Sequence, residues 1–431
     1  MTNNRFGSPE VSDEELNGGA TLPDFKEDNK PRFNAARVSQ IDSIKFDENN
    51  IATNFPTFIS PVDFDKVLVE LARRKAGDIK IVSDSRLFGE IDGLKLPITT
   101  RKISNDEVLE MLEHIGRGKS AIVTTNTQPV KYIHIVRSGG ERFGFRVLAR
   151  RTYRGGAANN GRSLTLRTIP QNPPTISELG IPQEIVDMLG NTAGMLLVVG
   201  GTGSGKTTTC AALIRHILET RHGLSISTYE DPMEHYFDTD IIKTECLIEQ
   251  AEVNFLLDRW NDVAPTLLRS GSDIYFLGEA SDKGGMEALV KLSGLGKFLI
   301  ATTHANSITQ TFSRIGKEFP IDNRDSLLSD VVQKTRGIVS QRLVRAPKGP
   351  GRTAVFGYLE FSGFIRDALS KVHPDDLSNE LKQYVEKYGV SEFVDATRKY
   401  EAGFIHEEDF RALEREFSTD EIQRSEAKKI L

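Results

Sequence analysis

The sequence predicts an α/β fold, in which a parallel sheet covered by helices follows a smaller α+β domain. Beyond residue 171, short and mostly apolar stretches recur, and segments long enough for helices separate them. Strands that are buried on both faces of a parallel sheet have this composition. Before residue 170, amphipathic helical patterns are interspersed with groups of strands, which is typical of an α+β domain.

The first 54 residues are predicted to be a flexible acidic tail. They contain ten Asp and Glu residues against six Arg and Lys residues, and their apolar residues follow no helical or strand period. Such a segment buries too little apolar surface to offset the entropy lost on ordering. We therefore expect ordered structure to begin near Phe55.

Residues 55–170 are predicted to form the α+β domain. Two helical patterns, PVDFDKVLVELARRKAG and SNDEVLEMLEHIGRG, enclose the strand DIKIVSD and its expected hairpin partner SRLFGEIDG. In the second helix, Ser104 and Glu107 have the spacing of a capping box. Further strands are expected around residues 132–136, 142–149 and 164–168, and three prolines (Pro170, Pro173 and Pro174) then mark the domain joint.

Residues 171–364 are predicted to hold the parallel sheet, and residues 365–431 are predicted to be a helical C-terminal region. A helix is expected to open at Gly205. The expected parallel strands are Met195–Val199, Leu224–Thr228, Ile274–Leu277 and Phe298–Ala301. In the C-terminal region one apolar stripe at helical spacing indicates a core face, formed by Leu377, Leu381, Tyr384, Val385 and Tyr388.

Composition and charge exclude several classes of protein. The chain is 38% apolar and 27% charged with a net charge of −6, which describes a soluble globular protein and not a general nucleic-acid binder. No apolar run approaches the roughly 20 residues of a membrane-spanning helix. The N-terminus lacks an apolar signal segment, so we expect a cytoplasmic protein. Cys210 and Cys246 form no CxxC pair, which excludes a zinc ribbon.

The segment GGTGSGKTTT, which begins at Gly200, satisfies the P-loop pattern. It follows a predicted strand and opens a predicted helix, so its backbone N–H groups and the helix dipole favour an anion. Lys206 is expected to reach the β- and γ-phosphates of a nucleotide, and Thr207 to bind Mg²⁺. The residues expected to bind nucleotide here are Gly200, Gly201, Thr202, Gly203, Ser204, Gly205, Lys206, Thr207 and Thr208.

Three polar groups follow later strands of the same predicted sheet. STYEDPMEH places Glu230, Asp231 and Glu234 after one strand, where they can orient water around Mg²⁺ or act as a general base. DIYFLGEASD places Glu279 after a second strand, and IATTHANS places His304 after a third. Each feature alone is more often structural, but their combination with a P-loop on one sheet predicts a nucleotide-hydrolysing site.

The combination resembles the secretion ATPase superfamily, which includes the pilus-retraction motors and the type II and type IV secretion motors. That family carries a P-loop, an acidic box similar to TYEDPMEH, a strand ending in Gly-Glu, and a histidine box similar to TTHANS. The resemblance spans about residues 55–415, including RFGFRV, LTLRTIP, ISELGIP and IVSQRLV. Within the superfamily the chain is most similar to the type IVB (Dot/Icm and related conjugative plasmid) secretion ATPases.

The resemblance implies a homo-hexameric ring of two-domain subunits, with ATP and Mg²⁺ bound between a PAS-like N-terminal domain and a RecA-like P-loop domain. It implies peripheral association with an inner-membrane platform and cooperation with a second secretion ATPase. Glu279 would position the attacking water and join Thr207 in binding Mg²⁺. Glu230, Asp231 and Glu234 would tune the surroundings of the metal, and His304 would sense the γ-phosphate. Arg167, in LRTIP, lies where the family keeps an arginine near the nucleotide.

The chain departs from the family pattern after Glu279. The family usually continues with a small or apolar residue and then Arg-Asp, whereas this chain has Ala280, Ser281 and Asp282. Loss of the arginine predicts weaker assembly or slower turnover if that residue pairs with an acid or bridges subunits.

Residues 131–170 are strongly basic. They contain Lys131 and eight arginines against one acid, Glu141, which gives a local charge of +8 in an acidic protein. Nucleotide phosphates, acidic lipid or nucleic acid could bind here. Arginine suits a charged phosphoryl transition state, so Arg146 and Arg162 are candidates to contact ATP from this or a neighbouring subunit. No recognised nucleic-acid motif accompanies the stretch, so direct nucleic-acid binding is not expected.

The sequence therefore predicts an ATPase that powers type IVB-like secretion or conjugative transfer. The pilus-retraction motor shares every motif, although the zinc-binding cysteines common in pilus-assembly motors are missing. A translocase stimulated by nucleic acid and a ring component without catalysis are the alternatives from other classes.

Overall fold

A computed structural model describes residues 42–417, with gaps at 92–93, 117, 119, 154–160, 171, 191–192, 238–241, 243, 254–264, 266–268 and 348–350. Most of the predicted tail, residues 1–41, lies outside the described residues, as do residues 418–431. The described strands form two sheets, one of six strands and one of seven.

The first sheet is antiparallel throughout, with strand order β3-β2-β1-β6-β5-β4. Its strands are β1 (Asp78–Val82), β2 (Phe88–Ile91), β3 (Leu94–Pro97), β4 (Val130–Ser138), β5 (Glu141–Thr152) and β6 (Gly161–Ile169). Helices α1 (Pro61–Arg73), α2 (Asn105–Ile115) and α3 (Ser120–Thr124) accompany it. This arrangement confirms the predicted α+β composition of the N-terminal part.

Helix α2 begins where the capping signal places it. Ser104 accepts a hydrogen bond from the backbone N–H of Glu107, and the Glu107 carboxylate accepts one from the backbone N–H of Ser104. These bonds satisfy two of the N–H groups that a helix start leaves without partners. Glu107 also accepts a bond from the Ile59 backbone at 2.8 Å, which fixes the chain before α1.

The core of this first part extends further toward the N-terminus than Phe55. Ile44 and Ala52 are buried in the same apolar cluster as α1 and the sheet. The Ala52 N–H donates to the Ile98 carbonyl at 2.7 Å, and a short antiparallel bridge joins Phe46 to Ala52. Residues 42–54 thus pack against the first part of the chain, because Ile44, Phe46 and Ala52 join its apolar cluster.

The second sheet has strand order β13-β12-β7-β11-β10-β8-β9. The strands are β7 (Gly194–Val199), β8 (Ser225–Glu230), β9 (Leu247–Glu252), β10 (Ile274–Leu277), β11 (Phe298–Thr303), β12 (Thr335–Arg345) and β13 (Arg352–Glu360). All neighbouring pairs are parallel except β12 with β13. The four predicted strands are confirmed as the contiguous set β7-β11-β10-β8, and an antiparallel edge strand adds to the predicted parallel sheet.

Helices cover this sheet and explain why its central strands are apolar on both faces. Every residue of β7, β10 and β11 is buried. The helices are α4 (Ile176–Leu179), α5 (Gln183–Asp187), α6 (Lys206–Thr220), α7 (Lys283–Ser293), α8 (Thr311–Gly316), α9 (Ile321–Lys334), α10 (Gly363–Leu369), α11 (Leu377–Tyr388) and α12 (Glu392–Glu401), and residues 407–417 are also helical. The α/β class predicted from the sequence is confirmed.

The C-terminal apolar stripe packs largely as predicted. Leu377 and Leu381 are fully buried in the core, and Tyr384 and Val385 pack against its edge. Tyr388 is half-exposed and stacks on the Tyr384 ring, with 6.0 Å between centroids. No helix within the described residues has the length and apolarity required to cross a bilayer.

Candidate nucleotide site

The loop between β7 and α6 can be built only with glycine at several positions. Gly200, Gly203 and Gly205 have φ angles of 151°, 75° and 89°, a region that L side chains rarely adopt. Close packing adds a second constraint: a Cβ at Gly200 would lie 2.4 Å from the Gln341 carbonyl oxygen, and one at Gly205 would lie 2.8 Å from Gln341 Nε2. Strand β12 therefore supports the loop from behind.

The outer face of the loop is exposed to solvent, whereas the lysine that follows the loop is buried. Gly201, Thr202 and Gly203 are exposed. Lys206 is only 7% exposed, and its ammonium group donates to the carbonyls of Gly200 and Gly201 at 2.9 Å each. Burial lowers the pKa of Lys206, and the negative charge of Glu279 acts in the opposite direction. The lysine thus lies within electrostatic reach of the predicted catalytic carboxylate.

Three buried hydroxyl and amide oxygens around the loop have no hydrogen-bond partner among the described residues. They are Ser204 Oγ in the loop, Gln341 Oε1 behind it, and Thr303 Oγ1 at the end of β11, the strand beside β7. Buried polar atoms are normally satisfied. Together with the exposed backbone of the loop, these atoms fit a site that receives a polar ligand.

Glu230 ends β8 in an enclosed position. It is 2% exposed, and its carboxylate accepts bonds from the Thr228 hydroxyl at 3.3 Å and the Glu234 N–H at 3.4 Å. Burial raises the pKa of Glu230 to about 8. Gly278 lies against this side chain, because a Cβ there would stand 2.7 Å from Glu230 Cγ. Gly278, which separates the end of β10 from Glu279, therefore makes room for the Glu230 side chain.

Glu279 and His304 meet above neighbouring strands. Glu279 follows β10 and His304 follows β11, and the two strands pair in parallel. His304 Nε2 lies 2.6 Å from Glu279 Oε1, and both side chains are partly exposed. Parallel pairing also joins the Ala280 N–H to the Thr302 carbonyl at 2.8 Å. The site thus presents an accessible carboxylate that a histidine holds in place.

Asp231 and Glu234 contact the first sheet. Lys131 Nζ, on β4, lies 2.9 Å from Asp231 Oδ1, and Arg146 Nη1, on β5, lies 3.4 Å from Glu234 Oε1. The Arg142 guanidinium lies 3.7 Å from the centroid of the Tyr236 ring in the same loop. The basic stretch of the sequence therefore faces the acidic loop that follows β8.

The three arginines predicted to contact nucleotide occupy different surroundings. Arg146 lies beside Glu234, at the edge of the site. Arg167 is on β6 and forms a two-bond pair with Asp78 of β1, at 2.7 and 3.0 Å. Arg162 is completely buried in the first sheet, so the structure does not bring it to the site. Its guanidinium donates to Thr125 Oγ1 at 2.9 Å and to the Gly161 carbonyl at 3.2 Å. The predicted role of Arg162 in contacting ATP is corrected to a buried structural one.

The segment that lacks the family arginine is held by an arginine from elsewhere. Arg314, on α8, donates to the Ser281 carbonyl at 2.6 Å and pairs with Glu318. Asp282 caps α7 by accepting a bond from the Gly285 N–H at 2.8 Å. Sequence reasoning missed both Arg314 and Gln341. A polar residue within the apolar run of β12 was a signal for Gln341, whereas nothing local indicated Arg314.

A cavity of about 570 Å³ opens beside the end of the P-loop. Gly205, Thr208 and Thr209 line one side, and Leu343 and Arg352 of β12 and β13 line another. Residues of α12, including Arg398, complete the wall. The cavity thus leaves space beside the P-loop for a ligand larger than a phosphate group.

A glycine-rich loop between a central parallel strand and a helix, with a buried lysine and an accessible carboxylate nearby, defines a P-loop nucleotide-binding protein. The family model "Type II/IV secretion system protein" matches residues 156–430. This span is more than half of the chain, and the protein belongs to that family.

Known relatives and solved structures agree with this assignment. The type IV pilus ATPase PilU of Pseudomonas aeruginosa is 28% identical over 351 residues, which cover 81% of this chain and 87% of PilU. The structure of the ATPase DotB of Legionella pneumophila superposes with a TM-score of 0.74 and 28% identity, and the match covers 84% of this chain and 97% of that one. The pilus retraction motor PilT with bound ADP gives 0.67 and 25%, over 80% and 95%. The predicted membership of the secretion ATPase superfamily is confirmed.

Proposed function

We propose that this protein hydrolyses ATP to power a secretion or conjugative transfer system of the type IVB kind. The observation that carries the proposal is the contact of Glu279 with His304 beside an open P-loop, whose Lys206 lies within the electrostatic influence of Glu279. The chain is also similar to DotB over 84% of its length. A carboxylate held beside a phosphate-binding loop can orient a water molecule for attack on the γ-phosphate.

The residues of the loop divide the work of holding phosphate. The backbone N–H groups from Gly200 to Thr208 surround the phosphates, and the start of α6 adds its dipole. The Lys206 ammonium, which now binds two loop carbonyls, exchanges them for phosphate oxygens. Thr207 and Glu279 offer the oxygen ligands that Mg²⁺ prefers. When bound, Mg²⁺ neutralises charge on the phosphates.

Glu279 accepts or orients the proton of the attacking water, and His304 holds that carboxylate through its Nε2–H. His304 follows β11 and contacts Glu279. From this position it can respond to the presence or loss of the γ-phosphate. Glu230 remains protonated near neutral pH and so adds no charge to the site until its surroundings change. The cavity beside Thr208 and Arg352 receives the nucleoside.

Movement of the two sheets relative to each other would convert nucleotide binding into work. The pairs Lys131–Asp231 and Arg146–Glu234 join the first sheet to the acidic loop of the second. Arg146 can leave Glu234 for a nearby phosphate at little cost, because a partly exposed ion pair contributes about 1 kcal/mol or less. In a homo-hexameric ring, such exchanges would pass motion to an inner-membrane platform and a partner ATPase. The expected location is cytoplasmic and peripheral to that membrane.

A pilus-retraction motor is the second candidate function. The similarity to PilU over 81% of the chain favours it, as does the superposition on PilT. Both candidates use the same ATP chemistry, so they differ in the machine that the ring serves. Co-purification with inner-membrane proteins of a secretion system, or with those of a pilus, distinguishes the two.

The direct test of ATP hydrolysis compares the wild-type protein with Lys206→Ala and, as a matched control, Lys291→Ala on the outer part of α7. We expect ATP turnover by the wild type and the control, and none by Lys206→Ala, with unchanged circular dichroism in all three. Turnover in Lys206→Ala would contradict the assignment. ATP binding without turnover in the wild type would indicate a non-catalytic ring component, and strong stimulation by DNA or RNA would indicate a translocase.

A further inference from the structure

A histidine-carboxylate cluster lies in the N-terminal part of the chain, on residues that the nucleotide chemistry does not use. Asp65 comes from α1, His114 from the last turn of α2, and His134 from the edge strand β4. His114 Nε2 lies 2.9 Å from Asp65 Oδ2, and His134 Nε2 lies 2.6 Å from Asp65 Oδ1. Three separate elements thus direct three potential ligand atoms to one point.

The geometry points to a metal site: we propose that Asp65, His114 and His134 bind a divalent transition-metal ion of the Zn²⁺ type. One ligand atom from each residue lies within 4.8 Å of the other two. In a tetrahedral site with bonds of about 2.0–2.1 Å, ligand atoms stand roughly 3.3 Å apart. Side-chain rotations that close the widest of these separations by up to about 1.5 Å therefore convert the hydrogen-bonded cluster into a coordinated one.

The type and exposure of the ligands decide which ion fits. Two imidazole nitrogens and one carboxylate oxygen suit zinc and related ions, whereas Mg²⁺ and Ca²⁺ prefer oxygen alone. His134 is buried, while Asp65 and His114 are partly exposed. The buried side fixes the geometry, and the open side leaves a coordination position for water.

Both imidazole rings are already directed at the Asp65 carboxylate. The two rings meet edge to face with 5.3 Å between centroids, so they converge on the carboxylate without stacking on each other. On binding a cation, each histidine coordinates through Nε2 as a neutral imidazole, so the proton on Nε2 passes to solvent while Nδ1 carries one.

Such an ion would tie both helices to β4, the strand that contacts the acidic loop after β8. His134 and Lys131 lie on the same strand, and Lys131 pairs with Asp231. Binding to the folded state alone stabilises that state. The inferred metal therefore supports the first sheet, and its presence does not depend on ATP hydrolysis.

The test uses the full chain, treated with a chelator and then given Zn²⁺ without nucleotide. After gel filtration we expect one bound zinc per chain in the wild type, in Lys206→Ala and in the control His222→Ala, whose histidine is exposed elsewhere. The Asp65→Asn and His134→Gln variants should no longer retain the zinc ion. Asp65→Asn keeps the size of the side chain and one acceptor oxygen, so it retains the fold while removing the anionic ligand.

A second readout needs no variant. Co²⁺ in the wild-type protein should give the intense visible absorption of a four-coordinate nitrogen and oxygen site, and Zn²⁺ should abolish it and raise the thermal midpoint by several degrees. The proposal is overturned by a wild type that takes up no zinc, by an Asp65→Asn protein that keeps its equivalent, or by a weak octahedral Co²⁺ spectrum. None of these results depends on ATPase activity, so they leave the proposed function separately testable.

Discussion

Glu230 and Glu279 end neighbouring strands of one sheet but have opposite surroundings. Glu230 is 2% exposed and packs against Gly278, whereas Glu279 is partly exposed and contacts His304. Burial penalises the charged form of a carboxyl group, and only Glu230 of the two is buried. Glu279 is therefore suited to handle water, and Glu230 to respond when charge enters or leaves the site.

The raised pKa of Glu230 predicts a pH-dependent stability. The unfolded chain loses this proton near 4.5, while the folded protein keeps it to about 8. Between these values the unfolded state binds fewer protons, so the free energy of unfolding contributed by this group falls by up to about 1.4 kcal/mol per pH unit. Its stabilisation is complete below 4.5 and lost as the pH rises toward 8.

Glu230→Gln removes this dependence, because glutamine fills the same space and does not titrate. Relative to the variant, the wild type should lose stability progressively from pH 5 to pH 8 in urea unfolding without nucleotide. The difference between the two proteins cancels the other titrating groups. A constant difference across that range would show that Glu230 is not buried as a neutral acid.

Arg146 and Arg162 illustrate how alike two residues can look in a sequence. Arg162→Ala should destabilise the folded protein by about 3–5 kcal/mol, because it leaves buried acceptors such as Thr125 Oγ1 without a donor. Arg146→Ala should cost about 1 kcal/mol or less in stability and lower ATP turnover more than tenfold.

Thermal unfolding and phosphate release measure the two effects. Arg150→Ala, an exposed neighbour on the same strand, serves as the control for loss of positive charge. Equal destabilisation by Arg146→Ala and Arg162→Ala would be incompatible with the different surroundings of the two arginines.

At the scale of elements, the end of β10 fits closely against the end of β8. Gly278→Ala would place a methyl group 2.7 Å from Glu230 Cγ and 3.1 Å from its Cα. Overpacking of this kind costs about 1–3 kcal/mol, and here it also displaces both acids. We expect a measurable loss of stability together with a loss of ATP turnover.

Gly363→Ala provides the matched control, because a Cβ there meets only the end of the Arg366 side chain at 4.0 Å. Thermal midpoints and turnover rates of the two variants should differ clearly. A Gly278→Ala protein as stable and active as Gly363→Ala would refute the close contact between β8 and β10.

The elements that could be predicted are those with a strong local pattern. The buried strands β7, β8, β10 and β11, the capping box of α2 and the loop at Gly200 each depend on neighbours in the chain. The hairpin β12–β13 was not predicted, since its polar residues, such as Gln341, obscure the apolar pattern. Its support of the P-loop joins residues about 140 positions apart, a contact that sequence pattern alone does not indicate.

The site could be predicted in composition more fully than in arrangement. The P-loop, Glu279 and His304 were identified because each directly follows a strand, and strand ends meet at one edge of a parallel sheet. The bonding of Lys131 to Asp231, and the burial of Arg162, depend on how two sheets pack. The positive charge of residues 131–170 predicted a negatively charged partner. It did not indicate that the acidic loop after β8 provides part of that negative charge.

At the scale of the whole molecule, the acidic loop after β8 links the two sheets through Lys131 and Arg146. Such half-exposed pairs break and form again at low cost. This property suits a contact that must change during a cycle of nucleotide binding and release. The apolar side chains that fill most of the interior of the second sheet are close-packed and resist such rearrangement.

The proposed hexameric ring can be tested by measuring the assembly of the protein in solution. We expect mass photometry to detect hexamers of the wild type with Mg²⁺ and ATP, and a smaller hexamer fraction for Arg314→Ala. The loss of Arg314 frees the Ser281 carbonyl and the segment where the family carries its own arginine. Lys317→Ala, on the turn after α8, tests for a general effect of charge. Monomers alone under all conditions would contradict the proposed hexamer.

The central claim is that Glu279 readies water for attack on ATP held by the P-loop. The most direct measurement is single-turnover phosphate release, started by adding Mg²⁺ to wild-type or Glu279→Gln protein that is in excess over its bound ATP. We expect similar ATP binding by both proteins and a phosphate-release rate at least about a hundredfold lower in the variant. Release from Glu279→Gln at the wild-type rate would contradict it.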